Sequence, residues 1–127
     1  MTRVLWIGLA GALGTVTRYL VGLWAGKAFG TAFPYGTLTV NVVGCFLIAA
    51  ITHVAISTTL ISPTLRLTLT TGFMGGLTTY SSFNLETTQF LQNRAWYTAL
   101  VNVGLTAAGC FVAGLLGFAV ARRLVGP

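Results

Sequence analysis

The stretch that decides the fold reads Thr70-Thr-Gly-Phe-Met-Gly-Gly-Leu-Thr-Thr-Tyr-Ser-Ser-Phe-Asn84. It contains three glycines, and each glycine costs a helix about 1 kcal/mol relative to alanine. Its threonine and serine hydroxyls compete for the hydrogen bonds of the helix backbone. One interpretation is a kinked helix in a packed core. We favour a helix broken near residues 75–82 that carries a site, because freed carbonyl groups at such a break commonly hold a cation.

The composition places this helix in a membrane. Apolar residues make up 55% of the 127 residues and charged residues only 6%, against about 25% in an average soluble domain. The mean hydropathy of +0.86 excludes an ordinary soluble enzyme, and it also excludes a disordered chain. The net charge is +6, but the cations are spread singly and form no patch for nucleic acid. We therefore expect membrane lipid, and no nucleic acid, as the partner of these cations.

Charges and turn residues divide the chain into four predicted spans, since a spanning helix needs about 20 apolar residues. The predicted helices cover about 4–25, 37–56, 67–92 with the break near 75–82, and 96–121. Together they form one all-α integral membrane domain over residues 1–127. Glycines recur at helical spacing in the first and third helices, which favours close helix packing. These are Gly8, Gly11, Gly14, Gly72 and Gly76. Four short helices make a thin bundle, so we expect an oligomer.

The loop cations are nearly balanced between the two sides of the predicted bundle. One side carries Arg3, Arg66, Arg122 and Arg123. The other side carries Lys27 and Arg94, and also Arg18 if its side chain extends that way, so the count is four against two or three. Because short-loop lysine and arginine set orientation, so small a difference predicts insertion in both orientations and an antiparallel dimer. Arg18 lies inside the first helix, where it is either buried or extended to the interface.

Polar side chains inside the predicted spans are costly and therefore informative. Thr37 and Asn41 lie one turn apart on the second helix. Contact with a neighbouring helix and contact with a ligand are both open interpretations of Asn41. The fourth helix places Asn102, Thr106 and Cys110 at i, i+4 and i+8, which predicts a polar track along one stripe.

The chain has a single carboxylate and two cysteines. Glu86 is either a proton-coupling group or a structural residue near the start of the second half of the broken helix. We prefer the structural role because no second carboxylate or basic partner is evident. Cys45 and Cys110 lie in apolar segments, do not form a disulfide framework and lack the spacing of metal ligands.

Three segments resemble the bacterial fluoride channels of the Fluc (CrcB) family, and the similarity covers essentially the whole chain. The first runs from Gly11-Ala-Leu-Gly14 to Arg18-Tyr19. The second is Gly36-Thr-Leu-Thr-Val-Asn-Val-Val-Gly44, and the third is Gly72-Phe-Met-Gly-Gly-Leu-Thr-Thr-Tyr-Ser-Ser-Phe83. The third is the most specific of the three.

The resemblance implies a passive fluoride channel in the bacterial cytoplasmic (inner) membrane. It implies an antiparallel, dual-topology homodimer with two separate fluoride pores, in which the third helix is broken at the membrane centre. It also implies a structural sodium ion at the dimer interface, held by backbone carbonyl groups that match Gly75 and Thr78 of both subunits.

The resemblance further implies an anion path past Asn41 and two aromatic residues, which here are Tyr80 and Phe83, with Tyr80 replacing the usual phenylalanine. Fluoride holds its water tightly, so a pore must replace that water with N–H and O–H donors. A phenyl ring can offer its positive edge. The predicted fluoride pathway comprises Thr37, Asn41, Tyr80, Ser81, Phe83, Asn102, Thr106 and Cys110.

Two other classes are weighed against a fluoride channel. A proton-coupled small multidrug exporter is also short and four-helical, but it needs a carboxylate near the centre of its first helix, where this chain has Arg18. A non-conducting membrane scaffold would not require polar tracks on two helices. No nucleophile–base pair, metal cluster or phosphate loop indicates an enzyme, so we expect none.

Overall fold

The computed structural model describes residues 1–126, and the regular structure in that range is entirely helical. Three helices are long and apolar enough to span a membrane. They are α1 (Thr2–Phe29), α2 (Tyr35–Ser57) and α6 (Trp96–Val125). The predicted all-helical membrane fold is confirmed. Each long helix extends beyond its predicted bounds. In α1 and α6 the added last turns carry the cations Lys27, Arg122 and Arg123.

The third predicted helix consists of four shorter pieces. In chain order these are α3 (Pro63–Leu67), a π-helical segment (Thr68–Met74), α4 (Gly75–Leu77) and α5 (Tyr80–Gln92). The π-helical segment was not predicted from the sequence. Its threonines Thr68 and Thr70 donate their hydroxyls to the carbonyls of Thr64 and Arg66, a side-chain contact that bends helices.

The chain breaks at Thr78 and Thr79, inside the predicted interval. Both residues have extended backbone, with φ/ψ of −84°/154° and −153°/112°. Thr79 caps α5, since its Oγ1 accepts a 3.1 Å hydrogen bond from the amide of Ser82. Gly75 and Gly76 remain helical, so the extended residues are the threonines that follow them.

Glycines set the distance between α1 and the broken helix. A Cβ on Gly76 would overlap the carbonyl oxygen of Gly11, and a Cβ on Gly14 would overlap that of Phe73. Both clashes are with backbone, which cannot rotate away. Gly8, by contrast, has open space where its Cβ would lie. Close packing through small residues is the expected way for helices to associate in lipid.

Contacts between the ends of the helices show which cations lie at the same end of the molecule. Arg3 donates from Nε to Oγ1 of Thr64 at 3.1 Å, which joins the start of α1 to the start of α3. The Nε2 of His53 lies 2.8 Å from the carbonyl oxygen of Gly126, which joins the ends of α2 and α6. The N-terminus, the α2–α3 connection and the end of α6 therefore share one end of the molecule, as the assignment of loop charges requires.

Candidate ion pathway

A groove of about 600 Å³ runs between α2, the break and α6. We call it the central groove. Among its lining residues are seven that the sequence analysis singled out: Asn41, Gly75, Thr78, Tyr80, Phe83, Thr106 and Cys110. The structure thus brings together residues from three separate parts of the chain. The other predicted residues, Thr37, Ser81 and Asn102, lie outside this groove.

Asn41 fastens the break to α2. Its Nδ2 donates to the carbonyl oxygen of Thr79 at 3.1 Å, and its Oδ1 accepts from the amide of Thr79 at 2.7 Å. Backbone groups freed in the interior of a membrane protein need such partners, and an amide side chain offers both a donor and an acceptor. Asn41 also lines the central groove. Asn41 therefore joins α2 to the break. The second N–H of its amide takes part in neither of these two hydrogen bonds.

Thr79 has a role that was not predicted from the sequence. Its backbone holds Asn41, and its Oγ1 donates to Oγ of Ser82 at 3.1 Å and lies 3.2 Å from Oγ of Ser81. A threonine followed three residues later by a serine, just before a helix, is the signal that would have identified it as an N-cap. Ser81 is exposed and contacts this cap.

The two predicted aromatic residues lie side by side at the start of α5. The ring centroids of Tyr80 and Phe83 are 5.6 Å apart, with 56° between the ring planes. Tyr80 is 79% exposed, whereas Phe83 is half-buried. Both rings line the central groove.

A second cavity, of about 300 Å³, lies on the other side of the break, and we call it the side pocket. Arg18, Thr37 and Ser82 are among its lining residues. Thr79 lines both the side pocket and the central groove. The two cavities therefore approach each other at the residue that Asn41 holds.

Glu86 is tied to α2 beside this pocket. Oγ1 of Thr37 donates to Oε1 of Glu86 at 2.6 Å. Its other oxygen, Oε2, is buried and has no hydrogen-bond partner among residues 1–126. The contact joins α2 to α5. Glu86 lies in the middle of α5 and not in its first turn, so the predicted position near the start of this helix was wrong. Half-buried Arg18 lines the side pocket, and within the described range it forms no ion pair with Glu86.

The polar track predicted on α6 is divided. Asn102 is only 1% exposed and donates from Nδ2 to Oγ1 of Thr87 at 2.9 Å, so it faces α5. Thr106 and Cys110 line the central groove. The reason is geometric, because each step of four residues turns about 40° around an α-helix. Three residues spaced in this way therefore do not all face the same side: Asn102 faces α5, whereas Thr106 and Cys110 face the central groove.

The break leaves several backbone carbonyl groups without their helical donors, and those of Gly75 and Thr78 are two of them. In a continuous helix the amide of Thr79 would donate to the carbonyl of Gly75, and the amide of Ser82 to that of Thr78. Here the first amide goes to Asn41 and the second to Oγ1 of Thr79. Both released carbonyls belong to residues that line the central groove.

Residues 5–118 match the family described as CrcB-like protein, Camphor Resistance (CrcB). The chain belongs to this family. The match spans all of the helices described above except the last residues of α6 and the first of α1, so the whole pathway lies within it. The resemblance inferred from three short segments is confirmed.

Curated CrcB relatives match along almost their entire length. A protein of Sorangium cellulosum (strain So ce56) is 54% identical over 125 residues, which cover 98% of each chain. One from Geobacter metallireducens is 48% identical and one from Citrifermentans bemidjiense 44% identical, each over 124 residues that cover 98% of this chain and 100% of the relative. All three are named fluoride-specific ion channel FluC. This chain is accordingly a multi-pass membrane protein.

Proposed function

We propose that this chain is a fluoride-selective ion channel that lets cytoplasmic fluoride leave the cell passively. The observation that carries the proposal is the 54% identity, over 98% of both chains, to a protein named as a fluoride-specific channel. The alternative of a proton-coupled small multidrug exporter is not favoured, because the relatives are named as channels and α1 carries Arg18 where a carboxylate would be needed. The proposal contains no enzymatic step.

The chemistry of the central groove supports this function. Asn41 retains one N–H beyond its two bonds to Thr79, Thr106 adds a hydroxyl, and Phe83 adds a ring edge. Uncharged donors replace water around a small anion without trapping it, and release is required for conduction. Glu86 does not line the groove, so no carboxylate side chain opposes the anion there.

We propose further that the working unit is an antiparallel homodimer with two pores in the bacterial cytoplasmic membrane. Tyr80 lines the central groove and yet is 79% exposed, so one chain leaves this wall of the groove uncovered. A second copy would cover it. The near balance of loop cations at the two ends supports opposite orientations of the two copies.

A structural sodium ion between the two copies is part of the proposal. The released carbonyls of Gly75 and Thr78 are oxygen donors of the kind that hold sodium where membrane helices unwind. One chain supplies two such donors, and the partner copy would supply two more. Thermal unfolding should therefore occur at lower temperature after complete replacement of sodium by N-methylglucamine during preparation. An unfolding temperature that is indifferent to this replacement would count against the ion.

The function is tested with purified protein in liposomes. Vesicles loaded with potassium fluoride, and matched vesicles loaded with potassium chloride, are diluted into impermeant-anion buffer with valinomycin, and efflux is followed with ion-selective electrodes. Fluoride should leave rapidly and chloride only at the rate of protein-free vesicles. Equal efflux of both anions, or of neither, would overturn the proposal.

A further inference from the structure

The fold brings together two cysteines that the sequence places far apart. Cys45 lies on α2 and Cys110 on α6, and both line the central groove. Both also line a neighbouring cleft of about 380 Å³ between the same two helices. The pair therefore forms part of the wall between the two cavities. Both cysteines are free thiols and half-buried, so solutes in either cavity can reach them.

Close packing of α2 against α6 fixes the distance between these cysteines. A Cβ on Gly109 would lie 3.3 Å from Cγ2 of Val42, and a Cβ on Gly114 would lie 3.9 Å from the carbonyl oxygen of Cys45. The helices thus approach within van der Waals distance on both sides of Cys110. Cys45 and Cys110 line the same two cavities, so their side chains border the same space between α2 and α6.

We propose that Cys45 and Cys110 form a two-sulfur site for a soft monovalent d¹⁰ cation, of the class of Cu(I) and Ag(I). Such cations select thiolate ligands and accept two sulfurs in a linear arrangement. Binding converts two thiols and one cation into a bis-thiolate complex and releases two protons to solvent. The complex carries one net negative charge, because two thiolates surround a single positive ion.

The site has a consequence for ion flow that rests on the proposed function. Cys110 lies beside Thr106 in the central groove, where fluoride is proposed to pass. A fixed negative charge at Cys110 repels an anion strongly in a medium of low dielectric constant. Occupation by Ag(I) therefore stops fluoride flow without a change in the fold. Sensitivity to a soft metal is thus a property of this cysteine pair and not of fluoride conduction in general.

The first test measures binding and does not depend on conduction. The purified full-length protein is titrated with silver nitrate by isothermal calorimetry in chloride-free nitrate buffer, since chloride would precipitate silver. We expect one Ag(I) per chain and release of two protons, seen as a dependence of the heat on buffer ionisation. Loss of an outer-shell partner costs a metal site about 10–100-fold in affinity, so Cys45→Ser and Cys110→Ser should each lose at least that much.

Met74 provides the matched control, because its thioether is the other sulfur that lines the central groove. Met74→Leu conserves volume and should leave the stoichiometry and affinity for Ag(I) unchanged. Unchanged binding in both cysteine variants, or lost binding in Met74→Leu, would overturn the two-cysteine site. Variants are compared only when size-exclusion profiles match that of the unaltered protein.

The second test adds silver to fluoride-loaded liposomes, with the rate of each variant before silver as its own reference. Silver should abolish fluoride efflux through the unaltered protein. In Cys45→Ser, silver should change the efflux rate by no more than about twofold relative to the rate before silver, because a single remaining thiol binds the cation weakly. If silver neither slows fluoride efflux nor binds in calorimetry, the cysteine site is rejected and the proposal of a fluoride channel stands. Cysteine-dependent binding in a protein that passes no fluoride would reject the channel and leave the site intact.

Discussion

At the scale of single residues, Asn41 is the side chain through which α2 holds the broken helix. Both of its polar atoms are bonded to the backbone of Thr79. This explains why an amide stands here, because a carboxylate lacks the donor that the Thr79 carbonyl needs. The same geometry leaves one N–H of the amide for the central groove.

Asn41→Asp should therefore impair both stability and fluoride flow. The unpaired carbonyl of Thr79 should cost about 1–3 kcal/mol, and a negative charge in the groove should stop the anion. Thermal unfolding and liposome efflux measure the two effects. Asn84→Asp is the matched control, since Asn84 is exposed on α5 and lies outside both cavities. Equal efflux from the two variants would show that the anion avoids Asn41.

The ring edge of Phe83 is tested by a pair of substitutions. Phe83→Ile keeps an apolar side chain of similar bulk but removes the positive edge, so fluoride efflux should fall by tenfold or more, equivalent to a loss of about 1.4 kcal/mol. Tyr80→Phe keeps the neighbouring ring and should conduct at least as well as the unaltered chain. Undiminished efflux in Phe83→Ile would remove the ring from the pathway.

Residue types predicted part of this arrangement, and packing decided the rest. Asn41 and Thr106 could be selected because each is a polar side chain in an apolar span, whereas Phe83 was named through the family resemblance. The partner of Asn102 could not, since its contact with Thr87 depends on how α5 lies against α6. The placement of Cys45 and Cys110 on the walls of the same two cavities likewise follows from the close approach of α2 and α6.

At the scale of elements, the third helix is broken by its threonines and held by its glycines. The excess of glycine and hydroxyl side chains predicted the interruption. It did not predict that Gly75 and Gly76 stay helical while the extended residues are Thr78 and Thr79. Packing accounts for this, because only glycine at position 76 allows the backbone of α1 at Gly11 to approach so closely.

Gly76→Ala should accordingly destabilise the protein. Its new methyl group would overlap the Gly11 carbonyl oxygen, and overpacking of this kind costs about 1–3 kcal/mol. Gly8→Ala is the control, because its Cβ meets open space and alanine favours a helix by about 1 kcal/mol. In detergent, Gly76→Ala should unfold at a lower temperature than the unaltered protein, and Gly8→Ala should unfold at a higher temperature. A stability of Gly76→Ala equal to that of Gly8→Ala would contradict the packing described.

At the scale of the whole molecule, four cations lie at one end and two at the other, with Arg18 inside α1. Contacts of Arg3 with Thr64 and of His53 with Gly126 place one group at a common end. The sequence predicted this distribution correctly, because loop order alone decides which end a cation occupies.

Dual topology predicts that a tag at the C-terminus, itself free of cysteine, is accessible to an impermeant label from both sides of sealed membrane vesicles. An impermeant label should react with about half of the tags before permeabilisation, given balanced loops. Removing the cations of one end with Lys27→Ala and Arg94→Ala should shift insertion towards a single orientation. Labelling of the unaltered chain from one side alone would contradict the antiparallel dimer.

The most direct test of the account is the zero-current potential of the reconstituted protein in a planar bilayer with a tenfold fluoride gradient and equal chloride on both sides. A passive, fluoride-selective channel predicts a potential at the fluoride equilibrium value, about 59 mV for a tenfold gradient of a monovalent ion. A superimposed pH gradient should not move it. A potential near zero, or one that follows the pH gradient, would contradict the account.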